Sequence, residues 1–209
     1  MDVGRLTWLT MWRRAAAAYL VWVLAHVIGG AVFAVGSVLF MPNSWWQIIV
    51  DGIYAGAVFG VAQWLALRPF LPRLRLWAPA TLAASPVSWT LGVMYAYATL
   101  ALGGWVGAGF SAAVQAVVLA LSFRPDQFLV SLSLIWIPAS VIGGAIFYFF
   151  YLSALLEFSS PPPGSPPPFL LMLWGSVAYG VVTGVVVDVL VVLSGRRTAH
   201  NLSLTTGAR

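Results

Sequence analysis

An all-α bundle of membrane-spanning helices is the fold this sequence predicts, and three observations predict it. Of its 209 residues, 61% are hydrophobic and only 7% charged, with a mean hydropathy of +0.95, whereas an ordinary soluble domain carries roughly 25% charge. The apolar residues gather into six runs close to the ~20 residues a helix needs to cross the hydrocarbon core. The ten basic residues, all arginine, fall only at alternate boundaries of these runs. Fifteen charged side chains cannot keep a fold of this size in water, so the bilayer is its solvent.

The chain reads as a single integral membrane domain, residues 1–209, of three helical hairpins at 15–67, 77–123 and 128–193. Helix 1, Ala15–Phe40, follows Arg13 and Arg14 and is about twice as long as the apolar region of a secretory signal. Helix 2, Trp46–Leu67, carries Gly52, Gly56 and Gly60 four residues apart, the spacing that lets two backbones approach closely. This stripe predicts helix 2 as the central packing helix. Helix 3, Trp77–Ala101, follows the Arg68-Pro69 pair, and Pro79 and Pro86 are expected to kink it. Helix 4 is Trp105–Phe123. Helix 5, Phe128–Leu152, follows Arg124-Pro125 and contains Pro138. The segment 157–168, EFSSPPPGSPPP, has six prolines, which remove backbone donors and favour polyproline II. It is expected to be a stiff external connector, and such a strip can dock another protein. Helix 6, Phe169–Leu193, carries Gly180 and Gly184, and a cytoplasmic tail covers 194–209.

Six spans put both termini on one side, and every arginine agrees. Arg5, Arg13 and Arg14 precede helix 1; Arg68, Arg73 and Arg75 separate helices 2 and 3. Arg124 separates helices 4 and 5, and Arg196, Arg197 and Arg209 follow helix 6. The opposite connections, around 41–45, 102–104 and 157–168, contain none. By the positive-inside rule both termini face the cytoplasm. Trp8, Trp12 and Trp77 then fall at the inner interface and Trp45, Trp46 and Trp105 at the outer one, as an aromatic belt.

The chain also repeats. Trp22–Phe33 aligns with Trp136–Phe147 at eight identical positions of twelve, and Trp77-Ala-Pro79-Ala80 matches Trp136-Ile-Pro138-Ala139. On the even helices, Gly56-x3-Gly60-x2-Gln63, Ala108-x3-Ala112-x2-Gln115 and Gly180-x3-Gly184-x3-Asp188 each place one polar group beyond two small residues. Three parallel hairpins about a pseudo-three-fold axis along the membrane normal account for both series.

The run from Gly56 through Gly60, Gln63 and Trp64 to Arg68, with Trp77 nine residues later, resembles a group of uncharacterised multi-pass bacterial membrane proteins with repeated Gly-rich, Gln-Trp and Leu-Arg hairpins. The resemblance implies a membrane bundle and brings no activity. Three-hairpin mitochondrial carriers share the hairpin count but not their signature at the odd-helix ends. The substrate-binding subunits of energy-coupling-factor vitamin transporters are similar in length and span count alone.

Ionisable groups inside a membrane are functional candidates by default. Asp188 lies deep in helix 6 between valines. An unpaired carboxylate there costs about a few kcal/mol or more, so it is expected to be neutralised, wet or paired, with Gln63, Arg68 and Arg196 as candidate partners. Its readings are a polar clamp between hairpins, proton or cation coupling, and contact with another subunit. Asp51, about 8 Å inside the outer end of helix 2, reads as an interfacial or capping group before a pore group. The two acids differ in depth by about 20 Å, which excludes a catalytic dyad. His26, in mid-helix 1, reads as a hydrogen-bonding group first and a chlorophyll-type ligand second; Ser140 holds the matching repeat position. Two-histidine haem ligation is excluded, since His200 lies in the tail. Gln63 and Gln115 read as interhelical glue worth about 0.6–2 kcal/mol each.

The chain has no cysteine, so thiol chemistry is absent. P-loop, His-Glu-x-x-His and Gly-x-Ser-x-Gly motifs are missing, and the cytoplasmic loops are too short for a catalytic domain. The expected protein is therefore not an enzyme and carries no cofactor or metal. Its surplus of arginine sets orientation and attracts anionic lipid head groups rather than nucleic acid. The expected location is the bacterial inner membrane. The leading expectation is a structural or accessory subunit that packs against other membrane subunits. The second is a small-solute or ion transporter with Asp188, Gln63 and Gln115 lining a path.

Overall fold

The structure, a computed structural model, describes residues 3–39, 45–96, 99–123, 130, 133–159 and 166–206. It contains six long helices: α1 Val3–Leu39, α2 Trp45–Leu67, α3 Trp77–Ala96, α4 Leu100–Phe123, α5 Trp136–Ser159 and α6 Pro168–Thr206. There is no strand among the described residues. Each helix packs mainly on its neighbours in sequence, and α6 returns to pack on α1, so the six close into a ring.

Five of the six are long and apolar enough to cross a membrane: Trp8–Ser37, Trp46–Leu67, Leu102–Phe123, Trp136–Ala154 and Pro168–Gly195. The exception is α3, where the sequence predicts a sixth span. Its Thr81, Ser85 and Ser88 lower its hydropathy, and all three line the interior of the ring. Large apolar side chains face outward instead. Leu20, Leu24, Ile28 and Val35 of α1 are each more than half exposed, the pattern of a bundle whose solvent is lipid.

Several helix ends differ from the sequence reading. Helix α1 starts at Val3 and α6 runs on to Thr206, so much of the expected cytoplasmic tail is helical. The two extensions run together: a Cβ on Gly195 would lie 4.0 Å from Met11. The expected loop at 102–104 is helix. The α3–α4 connection ends instead at Thr99, whose hydroxyl caps α4 by accepting from the Leu102 N–H at 3.2 Å. Gly103 and Gly104 stay helical because α3 and α5 press against them. The proline connector is shorter than expected, since α5 continues to Ser159 and Pro168 opens α6; proline suits the first helical position, where no N–H is needed. The connection at 41–44, Arg124, the run at 160–165 and Arg209 lie outside the described residues.

The five predicted packing glycines all sit at helix contacts, though not around a central helix. A Cβ on Gly52 would lie 2.7 Å from the Pro86 Cα, one on Gly56 2.7 Å from the Ser85 Cβ, and one on Gly60 3.1 Å from the Ala78 carbonyl. The whole stripe of α2 thus faces one neighbour, α3, and the centre of the ring holds no helix. On α6, a Cβ at Gly180 would lie 2.8 Å from the His26 Cβ and one at Gly184 2.9 Å from the Tyr19 ring.

Arg13 and Arg14 of α1 and Arg68, Arg73 and Arg75 of the α2–α3 connection are all exposed. The Arg14 guanidinium donates to the Phe70 carbonyl at 3.3 Å, which brings the two groups to one end of the ring. Arg68 lies 5.5 Å over the Trp64 ring. The core divides along the ring axis into a cluster near this arginine end, around Trp22, Trp77 and Trp136, and a second around Phe33, Trp89 and Phe147.

Candidate functional site

Three tryptophans meet on the ring axis. Trp22 of α1, Trp77 of α3 and Trp136 of α5 are each at most 1% exposed. Their centroids are 6.4, 5.7 and 5.2 Å apart, with interplanar angles of 74°, 79° and 82°. Every pair is edge to face, the arrangement the ring quadrupole favours. Trp77 is therefore interior, not part of an interfacial belt, because α3 begins at the level where α1 and α5 bring their own indoles inward. Trp8, Trp12, Trp46 and Trp105 are exposed as expected; the Trp45 side chain lies outside the description.

Each indole N–H donates to a polar side chain on an even helix. Trp77 donates to the Gln63 Oε1 at 3.0 Å, Trp136 to the Gln115 Oε1 at 3.0 Å, and Trp22 to the Thr183 Oγ1 at 2.9 Å. One turn above each tryptophan stands a second polar residue, His26, Thr81 or Ser140. Gln63 Nε2 pairs with His26 Nε2 at 3.0 Å, Gln115 Nε2 donates to the Thr81 Oγ1 at 3.2 Å, and Tyr179 OH donates to the Ser140 Oγ at 3.5 Å. Each glutamine thus ties one odd helix to the next. On α6 the same two bonds are divided between Thr183 and Tyr179.

Hydrogen positions follow from this geometry. An indole N–H is only a donor, so each glutamine must present its carbonyl oxygen to it and keep its NH₂ for the other partner. Gln63 consequently donates to the His26 Nε2, which accepts. The remaining nitrogen, Nδ1, carries the proton and donates to the Trp22 carbonyl at 2.9 Å. Both ring nitrogens are engaged, so His26 presents no lone pair to a pigment metal. Among the described residues no group of three or more His, Cys, Asp or Glu is placed to hold a metal ion.

Above this layer lies a cavity of about 90 Å³. All six helices contribute a polar residue to its wall: His26, Gln63, Thr81, Gln115, Ser140 and Ser176. Ser85, Ser88, Ser111 and the Tyr148 and Tyr179 rings add to it. Farther from the arginine end a second aromatic layer closes over it. Phe33, Trp89 and Phe147 lie 5.4, 6.1 and 6.0 Å apart. They follow the three tryptophans by eleven or twelve residues along the same odd helices, about 17 Å at 1.5 Å per residue.

Of the expected polar residues, the structure brings His26, Gln63 and Gln115 together at the cavity and leaves both acids out of its wall. Asp51 is buried beyond the second aromatic layer, where Tyr151 OH donates to its Oδ2 at 3.4 Å. Asp188 is half-buried on α6, and its Oδ1 has no hydrogen-bond partner among the described residues. The expected pairing of Asp188 with Gln63 is not made. The residue that matches Gln63 and Gln115 is Thr183, because Gly180, not Gly184, aligns with Gly60 and Ala112. The signal was present in Ser176-x3-Gly180-x2-Thr183, which repeats the small-x3-small-x2-polar spacing one turn earlier. No family model, curated protein or solved structure matches the chain.

Proposed function

We propose that the chain is a non-enzymatic, six-span protein of the bacterial inner membrane that lets a small solute enter the cavity between its helices. The cavity carries this reading: a polar space on the axis of a lipid-solvated ring is costly to keep unless something polar occupies it. Three hairpins with both termini in the cytoplasm are the topology we assign. The threefold recurrence of tryptophan with an even-helix acceptor supports it, as do the arginines gathered at one end. Helix α3 counts as a span because its polar residues face the cavity, while Leu82, Val87 and Met94 face outward. Anionic lipid head groups are the partners of the exposed arginines.

Because the chain contains no cysteine, one introduced thiol reports on the cavity alone. Ser111→Cys in the full-length protein, reconstituted in vesicles, is expected to react with a small water-soluble methanethiosulfonate added to one side. A thiol that reacts only after detergent is added would show a closed void and end this reading.

The accessory-subunit reading rests on a different observation, the unpartnered Asp188 Oδ1. Oδ1 itself is enclosed within the bundle, so a neighbouring subunit would reach this half-buried carboxyl through its other oxygen. Purification from native membrane in mild detergent tests this: a second membrane protein retained by the wild type and lost from Asp188→Ala would establish it.

A further inference from the structure

The wall of the cavity specifies what it can hold. Among the described residues no arginine, aspartate or glutamate lines it. Asp51 is engaged by Tyr151 beyond the second aromatic layer, and Asp188 lies elsewhere on α6. The strong dipoles of the wall are also committed. Gln63 and Gln115 use both amide heteroatoms within the bundle, and His26 uses both ring nitrogens. The hydroxyls of Ser85 and Ser111 remain, with no hydrogen bond to another described residue; neither is among the fully enclosed unpaired atoms. An ion entering this space would give up its hydration without meeting an opposite charge. An uncharged donor-acceptor molecule would exchange water for hydroxyls at little loss. Size sets the other limit. A void of about 150 Å³ admits the six carbons of benzene, so a cavity of about 90 Å³ admits about four non-hydrogen atoms.

We infer that the cavity is a selective site for an uncharged hydrogen-bonding solute of about four non-hydrogen atoms, such as urea, a small amide or a short diol. This rests on the solute-entry reading above. Urea, guanidinium and nitrate separate the two ideas, since all three are planar with four non-hydrogen atoms and only urea is uncharged. Uptake of each is measured in vesicles of phosphatidylethanolamine and phosphatidylglycerol with and without the full-length protein. The protein is expected to accelerate urea over either ion by about 100-fold or more, the ratio that a desolvation difference of about 2.8 kcal/mol produces. Ser111→Leu, which puts bulk into the cavity, should return urea uptake to the protein-free rate while the detergent melting temperature stays unchanged. Comparable acceleration of urea and the ions would overturn the charge selectivity and leave solute entry standing. No acceleration of any of the three would overturn both. The wild-type comparison decides these outcomes even if Ser111→Leu fails to fold.

Discussion

The two aromatic layers use corresponding positions of the same three helices, about 17 Å apart, yet they are held in different ways. Near the arginine end every ring is an indole, and each N–H is tied to a side chain on another helix. In the far layer two of the three rings are phenylalanine, with no polar atom to fix them, and Tyr151 packs 4.8 Å from Trp89. Hydrogen bonds are directional and aromatic packing much less so. The indole layer is therefore fixed by hydrogen bonds from all three of its rings, whereas two of the three rings of the far layer are held by packing alone.

Stability measurements can break this distinction, and the largest effect should come from Gln63→Leu. It leaves both the Trp77 N–H and the His26 Nε2 unpaired, two buried groups at about 1–3 kcal/mol each. Thermal unfolding in detergent should register the largest drop of the series for this variant. Trp77→Phe keeps a ring but orphans only the Gln63 oxygen and should cost less, about 1–3 kcal/mol. In the far layer Phe33→Leu removes three ring carbons from a fully buried site but orphans no polar atom, and should cost less than Gln63→Leu, about 1–2 kcal/mol. If Phe33→Leu proves as damaging as Gln63→Leu, the two layers are equally rigid and the contrast is wrong. Thr183→Val leaves the Trp22 N–H unpaired and should resemble Trp77→Phe, at about 1–3 kcal/mol. The smallest loss belongs to Asp188→Asn, which keeps the shape of a carboxyl whose Oδ1 has no partner to lose among the described residues, and it should leave urea uptake unchanged because Asp188 is not in the cavity wall. Loss of uptake in that variant would place the route along α6 instead.

Much of this contrast was readable from residue spacing. The alignment of Trp22–Phe33 with Trp136–Phe147 contains one residue of each layer at either end. Gln63 and Gln115 stood out because amides are rare among apolar residues, and both belong to the indole network. Thr183 did not stand out, since threonine is common in membrane helices and the charge of Asp188 drew the alignment one turn too far. Of the serines in the cavity wall only Ser140 is marked by the repeat; Ser85, Ser88, Ser111 and Ser176 are not, because a hydroxyl on a helix face carries no directional signal until the partner helix is known. Nor could spacing alone place Trp77. At the start of a helix, an indole facing lipid head groups and one facing the bundle axis look alike in sequence. The central role expected for α2 failed because a glycine stripe identifies a close contact without saying how many neighbours share it.

Trp22 finds its acceptor 161 residues away, whereas Trp77 and Trp136 reach theirs across 14 and 21. Those two indoles are satisfied almost as soon as their helices leave the ribosome. At roughly 5–20 residues per second, Trp22 must wait on the order of ten seconds for α6 to be made. Until then α1 sits in the insertion machinery or the lipid with one face unfinished, and the arrival of Thr183 completes the circle. Among these six helices α1 is therefore locked last, at its seam with α6.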